Sequence, residues 1–128
     1  MPLVTLTLRD TAPAGLARCI LDEVHDALVA SGVPAADRFQ RVLALAPDAM
    51  VVDPRHPDLA RDRAERFVLI DIGWSVGRSV NVTRRVAADI AKRAARAADI
   101  EPDDVMVVFV ETQWENWAFA GGRLLHAS

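Results

Sequence analysis

Cysteine, tyrosine and long apolar runs are what this sequence has least of. Its one cysteine, Cys19, excludes an internal disulfide framework and fits a reducing compartment, so we expect a cytoplasmic protein. The longest apolar run, Val105 to Val110, is far too short to cross a bilayer, and we expect no membrane partner. No histidine pair has metal-ligand spacing and no glycine loop fits a phosphate. We therefore expect neither a metal nor a cofactor.

The charge balance gives little sign of a nucleic-acid partner. The net charge is -3, although residues 78–99 carry six basic side chains and two acidic ones. Such asymmetry can serve a nucleic-acid surface, but more often it is a solvated helix face or one helix meeting an acidic helix in an oligomer. A hydrophobic content of 52% with 26% charged residues is typical of a soluble globular protein, and 128 residues suit one domain, 1–128.

The first half of the chain predicts a strand, a helix and a second strand. Residues 3–8 form an apolar run rich in β-branched side chains, as in a buried strand. Thr11-Ala12-Pro13 resembles a helix start, with a capping hydroxyl and a proline in the first turn, and Ser31-Gly32 ends the helix. His25 falls on the predicted polar side of this helix. The apolar stripe consists of Leu16, Ile20, Val24, Ala27 and Leu28.

The second half repeats that order after an irregular connection. Residues 38–45 close the first half as a strand, and Ala49 to Val52 reads as a further short strand. A strand over 67–72 then leads to a helix capped by Ser79 and running to about Ala98. A strand over 105–110 follows, and a Gly121-Gly122 turn within residues 114–125 predicts a small hairpin.

These elements predict an α+β fold built from two β-α-β units, with pseudo-repeats over about 1–60 and 61–128. A β-α-β crossover makes its two strands parallel. Two units side by side would give a four-stranded sheet with both helices on one face. The other face would be bare although its strands are apolar on both sides, so self-association is the simplest way to cover it.

The Met1-Pro2 start predicts a reactive group at the amino terminus. An initiator methionine is normally trimmed before a residue as small as proline, which would leave the nitrogen of Pro2 as a free secondary amine at the end of an apolar strand. Burial and neighbouring carboxylates can set such an amine to either protonation state near neutral pH. We treat it as a candidate acid or base.

Four segments occur in an order that resembles one family: the Met-Pro start, residues 33–40 (Val-Pro-Ala-Ala-Asp-Arg-Phe-Gln), Gly77-Arg78-Ser79 and Trp117-Ala118-Phe119. The whole chain is similar to the tautomerase superfamily, and within it to the malonate semialdehyde decarboxylase group. The resemblance implies a homotrimer whose sheets pack around a central barrel, covering the bare face. It also implies an amino-terminal proline enzyme.

Carried over position by position, the resemblance implies a set of site residues. Pro2 matches the catalytic proline and Asp37 the aspartate beside it, while Arg78 matches one of two arginines that grip a substrate carboxylate and polarise its carbonyl. Aromatic side chains would wall the reacting carbons; Trp117 and Phe119 match such positions, and we add the neighbouring Trp114.

One position departs from that pattern. The second arginine of the decarboxylases stands two residues before the position of Arg78, where this chain has Val76. Each missing charge-assisted hydrogen bond to the carboxylate is worth about 1.5–3 kcal/mol.

Keto–enol tautomerisation of a small oxo acid is the main expectation, with two alternatives, the first of which shares that substrate class. A keto–enol tautomerase, an isomerase, would use neutral Pro2 to move a proton between neighbouring atoms while Arg78 holds the carboxylate. A malonate semialdehyde-type decarboxylase or hydratase, a lyase, would use protonated Pro2, supported by Asp37. A trimeric binding protein would keep the fold without the chemistry.

Overall fold

The computed structural model describes residues 1–124, which form a four-stranded mixed sheet with two helices on one face. Single turns of 3₁₀ helix lie at Pro47–Ala49, Pro102–Asp104 and Trp114–Asn116. The regular elements are β1 (Leu3–Arg9), α1 (Leu16–Ala30), β2 (Phe39–Leu45), β3 (Val68–Ser75), α2 (Val80–Ala98), β4 (Val105–Thr112), β5 (Ala118–Ala120) and β6 (Arg123–Leu124). The predicted hairpin is present as β5 and β6; its last predicted residue, Leu125, lies outside the described residues.

The sheet has the order β2-β1-β3-β4 and confirms the predicted β-α-β units. β1 pairs parallel with β2 across α1, and β3 pairs parallel with β4 across α2. The two units meet through β1 and β3, which are antiparallel, with Leu3 opposite Gly73. The first residues of β1 and β2 therefore lie at the same end of the sheet as the last residues of β3 and β4.

One face of the sheet and the apolar stripes of both helices make the core. Alternate residues of a strand point to opposite faces, so Val4 and Leu6 share a face with their partners Ile72 and Ile70. Those side chains are at most 1% exposed because the helices cover them. The helices contribute Ile20, Leu21, Val24, Ala27, Leu28, Val86, Ile90, Ala94 and Ala98 to this core.

The start of α2 follows the prediction and the start of α1 does not. Ser79 caps α2, with its Oγ accepting a hydrogen bond of 3.2 Å from the amide of Val82. The prediction that the first helix begins near Thr11 is wrong, since α1 begins at Leu16. Gly15 precedes it with φ 86°, a left-handed conformation that glycine adopts without strain, and this breaks the helical path through Pro13.

Two further local predictions are wrong. Ala49 to Val52 is not a strand: the amide of Ala49 donates to Ala46 O at 2.8 Å in a 3₁₀ turn, and residues 50–52 have no ladder partner. His25 does not face solvent but is 8% exposed, because the chain that follows α1 folds back over that side of the helix. The periodicity of residues within one helix gives no information about which other segment of the chain packs against it.

The opposite face of the sheet is bare within residues 1–124, as expected. Its exposed apolar side chains come from three strands: Leu3, Phe39, Leu43, Met106 and Val110, each 38–51% exposed. Several large apolar side chains exposed on one sheet face are typical of an interaction site. Within residues 1–124, neither α1 nor α2 is long and apolar enough to cross a membrane.

Candidate active site

The amino terminus lies at the end of the central strand β1, in a buried position. Met1 is 7% exposed, and Pro2 is buried as well. The amine of Met1 forms an ion pair of 2.9 Å with Oδ2 of Asp37. A carboxylate this close stabilises the charged form of an amine.

Parallel pairing explains why Asp37 meets the terminus. Leu3 is paired with Phe39, so the residues two positions before each of them, Met1 and Asp37, arrive side by side. The turn that carries Asp37 is closed by a hydrogen bond of 3.0 Å from its amide to Pro34 O. Its second carboxylate oxygen, Oδ1, is buried and has no hydrogen-bond partner among residues 1–124, so an acceptor remains available at this point.

Arg78 reaches the same end of the sheet from the turn between β3 and α2. Its guanidinium carbon stands 4.0 Å from the ring centroid of Trp74, within the range of a cation–π contact, and its Nη1 donates to Ser75 O at 2.8 Å. Burial lowers the pKa of Arg78 below its ordinary value, while the carboxylates of Glu111 and Asp37 oppose that shift. An arginine stays protonated in a protein, so the site holds a fixed cation.

A fully buried indole supports that cation. Trp74 is 0% exposed and stacks on Phe109 with ring centroids 4.8 Å apart. Glu111 follows two residues later on β4 and is paired directly with Trp74 across the parallel ladder. The ends of β3 and β4 thus bring a carboxylate to the neighbourhood of Arg78.

Three aromatic side chains, from the start of β2 and the start of the hairpin, contact one another at this end of the sheet. Trp117 stacks on Phe119 at 5.7 Å, and Phe119 contacts Phe39 at 5.5 Å. The indole Nε1 of Trp117 donates to Thr112 Oγ1 at 2.6 Å, which ties the start of the hairpin to the end of β4. We call Phe39, Trp117 and Phe119 the aromatic wall.

The predicted site residues can now be placed. The structure brings Asp37 to the amino terminus beside Pro2, and Arg78 lies at the same sheet end as they do. Trp117 and Phe119 belong to the aromatic wall. Trp114 stands in the 3₁₀ turn before the hairpin, is 39% exposed, and accepts the amide hydrogen of Trp117 at its carbonyl oxygen at 3.3 Å.

Sequence reasoning missed three contributors to this site: Phe39, Trp74 and Glu111. Phe39 could have been suspected from its place two residues after Asp37. Trp74 and Glu111 carried no readable signal, because their role depends on which residues of β3 and β4 are paired.

Comparison with known proteins identifies the family. The family model described as tautomerase enzyme matches residues 37–120, which is more than half of the chain. The chain belongs to the tautomerase family. No curated protein matches it by sequence.

Solved structures agree with this family over nearly the whole chain. FG41 malonate semialdehyde decarboxylase inhibited by 3-bromopropiolate is 29% identical, with 95% of this chain and 92% of that chain covered at a TM-score of 0.87. Malonate semialdehyde decarboxylase, in structures that address its decarboxylase and hydratase activities, is 31% identical over 95% and 93% of the two chains, at a TM-score of 0.86. A fused 4-OT in a symmetric trimer, 18% identical with 95% and 94% covered, shares the fold at a TM-score of 0.78.

The candidate active site combines a terminal amine, the Asp37 carboxylate, the Arg78 guanidinium and the aromatic wall. A guanidinium can bind a small anion, and an amine beside a carboxylate can give or take a proton. Across residues 1–124, no group of three histidine, cysteine, aspartate or glutamate side chains is placed to hold a metal ion.

Proposed function

We propose that this member of the tautomerase family is an enzyme that acts on a small oxo acid through the amine of Pro2, freed by removal of Met1. The ion pair of 2.9 Å between the Met1 amine and Asp37 carries this proposal, because it places the Asp37 carboxylate one residue from the nitrogen of Pro2. A carboxylate at that distance along the chain can pair with the new terminal amine once Met1 is removed. The Met1 side chain, 7% exposed, fills buried space that a small substrate would occupy after its removal.

The reaction that a charged amine serves is decarboxylation of a 3-oxo acid such as malonate semialdehyde. Arg78 would bind the carboxylate and orient it. The ammonium of Pro2 would donate a hydrogen bond to the 3-oxo oxygen, so that the electron pair of the breaking C1–C2 bond enters an enolate as carbon dioxide leaves. A proton then adds to C2 and yields the aldehyde, with one proton taken up from solvent. Asp37 would keep the amine charged between turnovers.

Keto–enol tautomerisation is the second candidate, and Val76 favours it. Val76 stands where the decarboxylases have their second arginine, so this site lacks the charge-assisted hydrogen bonds that such an arginine would give the carboxylate, which counts against decarboxylation. Pro2 is buried, and desolvation favours a neutral amine, which can act as a base. In this reaction Pro2 removes a proton next to the carbonyl and returns it to a neighbouring atom.

We further propose that the chain assembles as a homotrimer that covers the bare sheet face. Support comes from the exposed apolar side chains on that face and from the trimeric fused 4-OT that shares the fold. The third alternative, a trimeric binding protein without enzymatic activity, is excluded if the following experiment detects turnover that depends on Pro2.

The experiment joins a mass measurement to an assay. The mature protein should lack one methionine by mass spectrometry, because a retained Met1 would make the nitrogen of Pro2 an amide that neither gains nor loses a proton. Native protein should turn over malonate semialdehyde or an enol such as phenylenolpyruvate. Pro2→Ala replaces a ring-fixed secondary amine by a mobile primary one and should lower kcat about 10²-fold or more. A retained methionine, or full activity in Pro2→Ala, would refute amine catalysis.

A further inference from the structure

His25 is a buried polar side chain that the proposed reaction leaves unexplained. It lies in the middle of α1, 8% exposed, next to core residues of the same helix. Its Nε2 stands 3.0 Å from the carbonyl oxygen of Ala35. Because a carbonyl oxygen only accepts, Nε2 carries the hydrogen of this bond.

That bond is one of three side-chain hydrogen bonds that, among residues 1–124, join the segment after α1 to the helix. Beyond Asp37, Arg38 bonds to Asp22 and the Gln40 amide donates to Leu21 O at 2.8 Å. On the amino-terminal side of Asp37, the side-chain hydrogen bond that joins the segment to α1 within residues 1–124 is the one from His25 to Ala35 O. Asp37 therefore lies between the hydrogen bond of His25 on one side and those of Arg38 and Gln40 on the other.

The carboxylate of Asp37 depends on this backbone for its position. Its amide is bonded within the turn, to Pro34 O, and its Oδ1 has no partner among residues 1–124. Apart from the ion pair to the amine, the turn itself decides where the carboxylate stands. A shift of Ala35, two residues away, would move it directly.

We propose that His25 is a positioning residue, which holds the turn over residues 34–37 through the Ala35 carbonyl and so aims the Asp37 carboxylate at the terminal amine. This inference rests on the proposed function in that it assigns Asp37 a part in the chemistry. A leucine would fill the same helical position without the cost of burying an imidazole. What the imidazole adds is a directed hydrogen bond.

The test compares three substitutions of His25. His25→Gln places an amide nitrogen near the position of Nε2 and can keep the bond to Ala35 O, whereas His25→Asn is too short and His25→Leu has no donor. His56→Leu, in an exposed loop, is the control. We expect kcat to fall about 10–10²-fold in the Leu and Asn variants, with KM changed less than about twofold because Arg78 still binds the carboxylate. The Gln variant should stay within about threefold of the native kcat.

Two measurements distinguish a positioning role of His25 from a role in packing alone. The second of them also gives an answer if the protein proves not to be an enzyme. In an Asp37→Asn background, His25→Leu should cause no further loss of kcat, since it acts through Asp37. The ¹³Cγ resonance of Asp37 should shift in the Leu and Asn variants and not in Gln, whether or not the protein turns over any substrate. Equal effects of Gln and Asn, a full additional loss in the Asp37→Asn background, or an unmoved resonance would each overturn the role given to His25. If the Leu variant fails to fold, the Gln and Asn pair still decides.

Discussion

Arg78 offers the sharpest test of how this site holds a substrate. Its guanidinium carbon stands 4.0 Å from the ring centroid of Trp74, and its Nη1 donates to Ser75 O, which leaves other N–H donors for an anion. Two charge-assisted hydrogen bonds to a carboxylate, at about 1.5–3 kcal/mol each, predict a loss of roughly 10²–10⁴ in kcat/KM for Arg78→Met. Arg78→Lys keeps the charge but loses the planar fork and the stacking, so we expect a smaller loss of about 10–10².

The assay should isolate the carboxylate from the rest of the substrate. We suggest measuring the inhibition constants of 3-hydroxypropionate and of its amide for the native protein, for both variants and for Arg84→Met, which changes an exposed arginine on α2. The acid should bind more weakly to both Arg78 variants, and the amide should be unaffected. Equal weakening of acid and amide, or an equal effect of Arg84→Met, would contradict a carboxylate-binding role for Arg78. Unchanged thermal unfolding midpoints would exclude a folding defect.

Two further predictions concern Asp37 and the bare face. Asp37→Asn removes the negative charge that stabilises the ammonium of Pro2. We therefore expect kcat for malonate semialdehyde to fall about 10–10²-fold, while kcat for enol ketonisation is unchanged or higher. A loss of ketonisation with unchanged decarboxylation would make tautomerisation the principal reaction. Val110→Glu would bury one carboxylate per subunit in the trimer, at an effective cost of several kcal/mol each, and should yield monomers by light scattering. Val80→Glu, at a position 72% exposed on α2, should stay trimeric, and a trimeric Val110→Glu would show that another surface makes the assembly.

Much of the fold could be read from short-range patterns. The cap at Ser79 and the stripe on α2 act within one or two turns of helix, and the prediction there is confirmed. The predicted start of α1 is wrong because Thr11 and Pro13 have the local pattern of a helix start, whereas the left-handed backbone conformation of Gly15 places the first helical residue at Leu16. His25 was assigned to the polar side because the covering segment lies 10 residues away from it.

The candidate site also has residues that the sequence predicts and residues that only the tertiary structure adds. The order of residues along the chain, through its resemblance to a family, predicts Pro2, Asp37, Arg78, Trp117 and Phe119 as site residues. The structure adds Trp74, Glu111 and Phe39, whose contacts depend on strand register. A shift of one residue in that register would turn every side chain of a strand to the other face, and no local pattern reports it.

By itself, the sequence determined that this chain folds as two β-α-β units with a basic second helix, a Met-Pro start and a few polar residues at turns. These features follow from periodicity, caps and turn residues, whose energies act between neighbours along the chain. Only the tertiary structure decided that the units meet antiparallel through β1 and β3. That pairing gathers the first residues of β1 and β2 and the last residues of β3 and β4 at one end of the sheet. The amine, Asp37 and Arg78 share one site because long-range strand pairing, rather than local preference, brings their turns together.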